Sequence, residues 1–139
     1  MIVYNSTRNT FIANDLKVAK NMWERLRGLI GSKELKEGEG FLLPSCQGIH
    51  TFFMSYSIDV LYLDQDHKVI HMLKNYRPNL TGPVIWKAKS ILELPRRAIG
   101  RSRTKVGDIL FFEKTPSDDS IEVIPIERSS LPKQSVFAI

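Results

Sequence analysis

Apolar residues along this chain recur mostly in short runs with a period of two. Ile2 to Tyr4 and Thr10 to Ala13 alternate as short strands, and Asp15 to Ala19 continues the extended pattern. The texture changes at Asn21, a good N-cap residue, with Glu24 three positions later in the manner of a capping box. Met22, Leu26 and Leu29 then fall on one helical face and Gly31 is a suitable stop, so a short helix is predicted over 22–30. Beyond it the period of two returns. Gly38-Glu39-Gly40 turns into Phe41-Leu42-Leu43, which Pro44 ends. Ile58 to Leu63 has strong β composition, Asp64 to His67 reads as a turn, and Lys68 to Leu73 as the returning strand. Ser90 to Leu94 reads as a buried strand stopped by Pro95. Ile109 to Glu113 follows Gly107-Asp108, and Pro116 to Asp119 turns the chain into Ile121 to Ile126. Many short strands and one helix predict a mostly β fold, an antiparallel β-sandwich or barrel. No helical crossovers are evident, which argues against parallel pairing.

Length adds that 139 residues make one ordinary domain, read as spanning 1–139, with room for a core that needs no staple. The single cysteine, Cys46, cannot form an internal disulfide. Met1 to Phe11 has no apolar stretch of signal-peptide length, and no run approaches the ~20 apolar residues of a membrane span. The expected address is therefore cytoplasmic. The net charge of +5 is uneven. Arg96, Arg97, Arg101, Arg103 and Lys105 form a basic stretch with no acid inside it, while Asp118, Asp119 and Glu122 make the end of the chain acidic. Such a stretch binds polyanions in some proteins and is a solvated loop in more of them. No aromatic residues interleave with the charges, which argues against nucleic acid as a partner.

Several motifs, in their order and spacing, resemble the bacterial and archaeal family called domain of unknown function 192. They are Arg27-Gly28-Leu29-Ile30-Gly31, Gly38 to Leu43, Ile49-His50-Thr51-Phe52-Phe53-Met54, Ile58 to Asp64, Ile91-Leu92-Glu93-Leu94-Pro95 and Val106-Gly107-Asp108. The resemblance covers about Trp23 to Leu110. It implies a compact, jelly-roll-like β-sandwich with a short helix, and it implies no activity. His67 stands where the family often has glycine, Phe53 where tryptophan is frequent, and Ser57 where proline is.

The candidate chemistry gathers in these motifs. Asp59 and Glu93 are carboxylates embedded in apolar strands, and each must be paired or hydrogen-bonded if buried. Either binds a ligand or ties a loop to the backbone. Glu93 lies opposite in direction to Leu92 and Leu94, and Arg25 or Arg27 from the helix is a candidate partner for it. His50 is the most versatile titratable group. Cys46, His50 and Met54 recur at intervals of four and are soft enough for Cu(I). In an extended segment, however, each interval spans roughly 13 Å, too far for shared coordination. No metal and no cofactor is therefore expected. Asp64 and Asp66 lack the glycine and glutamate of a calcium loop, and the glycines lack the lysine-serine pair of a phosphate cradle. Phe52, Phe53, Tyr56, Tyr62, Tyr76 and Trp86 are expected chiefly to fill the core.

Three readings of function follow. The first is a small binding or accessory module that takes a small polar ligand or peptide in a cleft near the His50–Asp59 loop, with Glu93 and Met54 alongside. The second is a hydrolase using His50 with Cys46 or a carboxylate. The third is polyanion binding through Arg96, Arg97, Arg101 and Arg103.

Overall fold

The computed structural model describes residues 1–116, so the predicted turn at 116–119 and strand at 121–126 lie, apart from Pro116, outside the described residues. In chain order the elements are β1 (Ile2–Asn5), β2 (Thr10–Ala13), β3 (Asp15–Val18), α1 (Met22–Arg27), β4 (Glu39–Pro44), β5 (Ile58–Leu63), β6 (Val69–Tyr76), β7 (Ser90–Pro95), α2 (Ala98–Ser102) and β8 (Leu110–Glu113). They build a three-stranded sheet, β2-β1-β8, and a five-stranded sheet, β3-β4-β7-β5-β6.

β5 is the reason the larger sheet has two dry faces. All six of its residues are buried, and it pairs antiparallel with both β6 and β7. Alternation sends Leu61 and Leu63 of β5 and Leu92 and Leu94 of β7 to one face. There they meet Val3, Ile12, Ala13 and Leu110 of the smaller sheet and Ile99 of α2. Ile58, Val60, Tyr62 and Ile91 go to the other face. They are covered by Leu29, Ile49, Met54, Tyr56 and Ala88, which belong to the α1 segment and to irregular chain. Each large apolar side chain so buried contributes about 1.5–3 kcal/mol.

Three features depart from the sequence reading of the fold. The sheets do not close into a barrel. The larger sheet is mixed, because β3 and β4 run parallel, with Leu16 opposite Gly40. The connection between them carries α1, and it is the helical crossover that parallel pairing requires. A helix of one and a half turns with exposed apolar residues gives too faint a periodic signal to be read as a crossover. Among the described residues there are also two helices rather than one. α2 follows Arg97, a residue in the left-handed region at φ 73°, and no side chain of its own first turn caps it.

Gly40 shows how closely β3 and β4 approach the core. A Cβ built there lies 2.9 Å from Leu16 Cδ1 and 3.1 Å from Leu94 Cδ2, both fixed in the buried layer. Gly40→Ala is expected to lower stability by about 1–2 kcal/mol, after allowing for its entropic gain in the strand. The urea midpoint measures this, and an unchanged midpoint would mean that Leu16 and Leu94 have room to move.

Candidate functional site

The stretch from Ile49 to Met54 is held without regular pairing, and Thr51 explains how. Thr51 is fully buried, and its Oγ1 donates to Arg77 O (2.7 Å) and accepts from Leu80 N–H (3.0 Å). Its backbone N–H donates to Leu80 O and its carbonyl accepts from Asn79 N–H, each at 2.8 Å. Gly82 N–H to Ile49 O and Ile85 N–H to Gln47 O extend the zipper. Two loops, 45–57 and 77–89, are thereby fastened into a layer over the second face of the large sheet. Phe53 turns the chain at φ 64°, with its N–H on Asn79 Oδ1.

This layer aims His50 at α1. His50 Nε2 lies 3.3 Å from the carbonyl oxygen of Leu26. A carbonyl only accepts, so Nε2 is the donor here, and in the tautomer with its one proton on Nε2 the other nitrogen, Nδ1, is an acceptor. Nδ1 is buried and has no hydrogen-bond partner among the described residues. Phe52 stacks on the same imidazole, with ring centroids 5.5 Å apart.

Glu93 approaches the same turn of α1 from below. In β7 it sits between Phe41 of β4 and Val60 of β5, pointing to the second face. A Cβ on Gly28, the residue that ends α1, would lie 3.7 Å and 3.8 Å from its two carboxyl oxygens. Gly28 stands at φ 52° and ψ −128°, where a side chain is strained, so the chain comes close to the carboxyl at a point that suits glycine. Glu93 is 3% exposed, and its Oε2 has no hydrogen-bond partner among the described residues. Burial pushes the carboxyl up to about 8. At neutral pH it is therefore mostly protonated.

The surroundings make a largely dry, polar floor beneath α1. Burial raises the Cys46 thiol, an effect that Arg25 opposes and Glu93 adds to. Burial also raises Tyr56, whose Oη lies 2.6 Å from Ser32 Oγ, and pushes Tyr62 up to about 12. Tyr62 Oη donates to Pro83 O at 2.9 Å. The arginines expected to pair with Glu93 do not do so. Arg25 Nη1 donates to Pro44 O and Arg27 Nε to Ile30 O.

α1 covers the group while burying none of its own residues. Its N-terminus is fixed as the sequence predicts, with Glu24 N–H on Asn21 Oδ1 at 2.9 Å. The glutamate side chain reaches back to Lys20 N–H at 2.7 Å. The helix ends at Gly28 rather than near Ile30, because Gly28 leaves the helical region first. Trp23 is 75% exposed and Phe53 82% exposed, and Met22, Leu26, Phe52 and Trp86 are exposed too. The expectation that the aromatics chiefly fill the core therefore fails for Phe52, Phe53 and Trp86, while Tyr56 and Tyr62 are buried as expected.

The other predicted residues lie elsewhere or do other work. Asp59 projects to the first face of the sheet, away from Glu93. Its Oδ1 accepts from Asn75 N–H (2.8 Å) and its Oδ2 from Ile99 N–H (2.9 Å). Met54 is buried in the second core group with Ile49 and Tyr56. In the basic stretch, Arg96 pairs with Glu34 at 4.0 Å and Arg101 with Glu37 at 3.5 Å, while Arg97 and Arg103 flank α2 on the surface. Sequence reading missed Gly28 and the Leu26 carbonyl as parts of the site. The glycine-rich Arg27 to Gly31 motif was the available signal, but a backbone group has no letter of its own.

Comparison with known proteins agrees with the fold and adds no activity. A UPF0127 protein of Thermococcus sibiricus is 30% identical over 135 residues, covering 94% of this chain and 80% of its own length. A UPF0127 protein of Thermococcus kodakarensis is 27% identical over 130 residues, covering 91% and 81%. Among solved structures, a protein of unknown function from Novosphingobium aromaticivorans superimposes with a TM-score of 0.64 at 20% identity, covering 70% of this chain and 74% of that one. A putative transcription regulator from Sinorhizobium meliloti gives 0.56 at 20% identity, covering 69% and 78%. The profile of domain of unknown function 192, described as an uncharacterised conserved family, matches residues 3–112, and the chain belongs to that family.

Proposed function

We propose that this protein is a binding module whose ligand is held by His50 and Glu93 under the last turn of α1. One observation carries the reading. Two buried polar atoms without partners among the described residues, His50 Nδ1 and Glu93 Oε2, belong to side chains that reach the same short helix, at Leu26 O and at Gly28. An unsatisfied buried polar group costs about 1–3 kcal/mol, so two of them on side chains that reach one short helix favour a ligand that satisfies both. The exposed apolar side chains of α1 and of Phe52 and Phe53 supply a rim against which the rest of a small polar ligand or a peptide packs. Two facing sheets, in a sandwich-like and jelly-roll-related arrangement, make a stiff base for such a site. Asp59 and Met54 serve that base rather than the ligand.

The hydrolase alternative has less support. No hydrogen bond joins Cys46 to His50, and burial holds the thiol in its protonated, unreactive form. The polyanion alternative is weakened by the acids that answer Arg96 and Arg101. Exposed pairs of this kind are worth little in stability, but they cancel the local field a polyanion would need.

A thermal-shift screen of cellular metabolites tests the reading. Ligands that stabilise the wild type are expected to lose their effect in His50→Ala and in Glu93→Gln, and to keep it in Cys46→Ser. Hits that vanish in Cys46→Ser and survive in Glu93→Gln would reverse the assignment in favour of thiol chemistry.

A further inference from the structure

We infer that the group recognised beneath α1 is an organic cation, an ammonium or guanidinium that donates N–H bonds to His50 Nδ1 and the Glu93 carboxylate under an aromatic rim. The inference rests on the binding reading above and specifies its ligand class.

The unsatisfied groups have a sign. The Leu26 carbonyl takes the His50 Nε2 proton, which leaves Nδ1 as an acceptor. Glu93 has no arginine, lysine or backbone N–H directed at Oε2 among the described residues. Arg25, which acts on the neighbouring Cys46, is turned to Pro44 O. His50 Nδ1 is thus open to a donor, and Glu93 accepts at both oxygens once it gives up its proton, a change that a ligand carrying positive charge and N–H donors favours.

Charge points the same way. The groups that feel Glu93 are the Cys46 thiol and the Tyr56 and Tyr62 phenols, and Arg25 lies beside Cys46. Glu34 and Glu39 lie further out, beside Tyr56. A carboxyl in such a place holds its proton when alone and gives it up to solvent when a cation arrives, because the ion pair replaces the lost hydration. The aromatic rings nearby are also suited to a cation. Phe52 is stacked on His50, and Trp23 and Phe53 stand exposed close in sequence to α1 and His50. Aromatic faces attract ammonium and guanidinium groups.

Such a cation has two sources, a free amine or guanidine and the side chain of a lysine or arginine in a peptide. Calorimetric titration with n-butylammonium, n-butylguanidinium, N-acetyl-lysinamide and N-acetyl-argininamide separates them, with n-butanol and butyrate as uncharged and anionic controls. At least one cation is expected to bind, and the controls are not. Near neutral pH, binding measured in two buffers of different ionisation enthalpy is expected to release up to about one proton per cation, from Glu93. Glu93→Gln is expected to weaken binding about tenfold or more and to abolish the proton release. His50→Gln weakens binding without changing the proton count. Tighter binding of the two amides places the source in a peptide, and tighter binding of the two butyl compounds places it in a small molecule. Cation binding that releases no proton, or that is unchanged in Glu93→Gln, overturns the inference, as does the failure of all four cations. If n-butanol or butyrate binds instead and depends on His50 and Glu93, the ligand class is wrong while the binding site stands.

Discussion

Glu93→Gln is expected to make the protein more stable at alkaline pH and to flatten the fall in stability that the wild type shows between about pH 5 and about pH 8. The sign follows from linkage. Burial raises the native carboxyl from 4.5 to about 8. Below about pH 4.5 both states hold the proton, and Glu93 adds no pH dependence. Between the two values the unfolded chain is ionised while the native chain keeps its proton. The unfolded state then binds fewer protons, and stability drops by ~1.4 kcal/mol for each pH unit. Above about 8 the native carboxyl ionises too, and the penalty stays constant at several kcal/mol, a large part of what a domain of this size possesses. Glutamine has the same shape and no proton to lose. Urea midpoints at about pH 5, pH 7 and pH 9 measure the effect, and the difference between wild type and variant removes the contribution of every other group. Asp108 does not interfere. Burial opposes its ionisation, but hydrogen bonds from Arg8, Asn5 and Lys105 outweigh that and hold it below the usual range, so its effect appears only as pH falls into the acid range. Parallel curves for wild type and Glu93→Gln would mean that water reaches the carboxyl, and the account of a dry floor would fail.

The penalty at Glu93 also bears on what the sequence discloses. The alternation of Leu92, Glu93 and Leu94 correctly places the carboxyl on the face opposite the leucines, and the chain reads clearly as short strands there. β5 has the predicted bounds, and Asn21 caps α1 as predicted. Such features are local: they depend on period, caps and turn residues within a few positions. What the sequence conceals is the covering of each face. A strand with both faces buried carries no mark that one face meets a second sheet and the other meets loops. The same holds for the parallel pairing of β3 with β4, which depends on a twenty-residue excursion through α1 and not on either strand. The His50–Asp59 loop reads as one place in the sequence because its residues are adjacent. In space the strand start at Ile58 divides it, with His50 above the second face and Asp59 pointing into the first.

That division makes Asp59→Ala the second large effect, one of stability rather than binding. α2 lacks a side-chain cap of its own, since Arg97 at its start sits in the left-handed region. Asp59 supplies the missing acceptor from β5, through Oδ2 and the Ile99 N–H at 2.9 Å. Its other oxygen takes the Asn75 N–H at 2.8 Å, beside the irregularity where β6 loses register with β5 between Ile58 and Val60. Alanine would leave two amide groups without their acceptor, and the one on Ile99 lies in the core between the sheets. A buried orphaned donor costs about 1–3 kcal/mol, and Asn75 is exposed enough to turn to water, so a loss of roughly 2–4 kcal/mol is expected, most of it from Ile99. Asp59→Asn keeps one accepting oxygen but turns an NH2 group toward the other N–H, and an intermediate loss follows. The urea midpoint gives the total, and amide exchange gives the cause: the Ile99 and Asn75 amides should lose protection in the alanine variant beyond the global change. The folded variant should still bind whatever ligand His50 and Glu93 bind, because the sheet separates the two carboxyls. A variant that keeps its stability and loses the ligand would assign Asp59 to the site, and would require β5 to present both faces to one pocket.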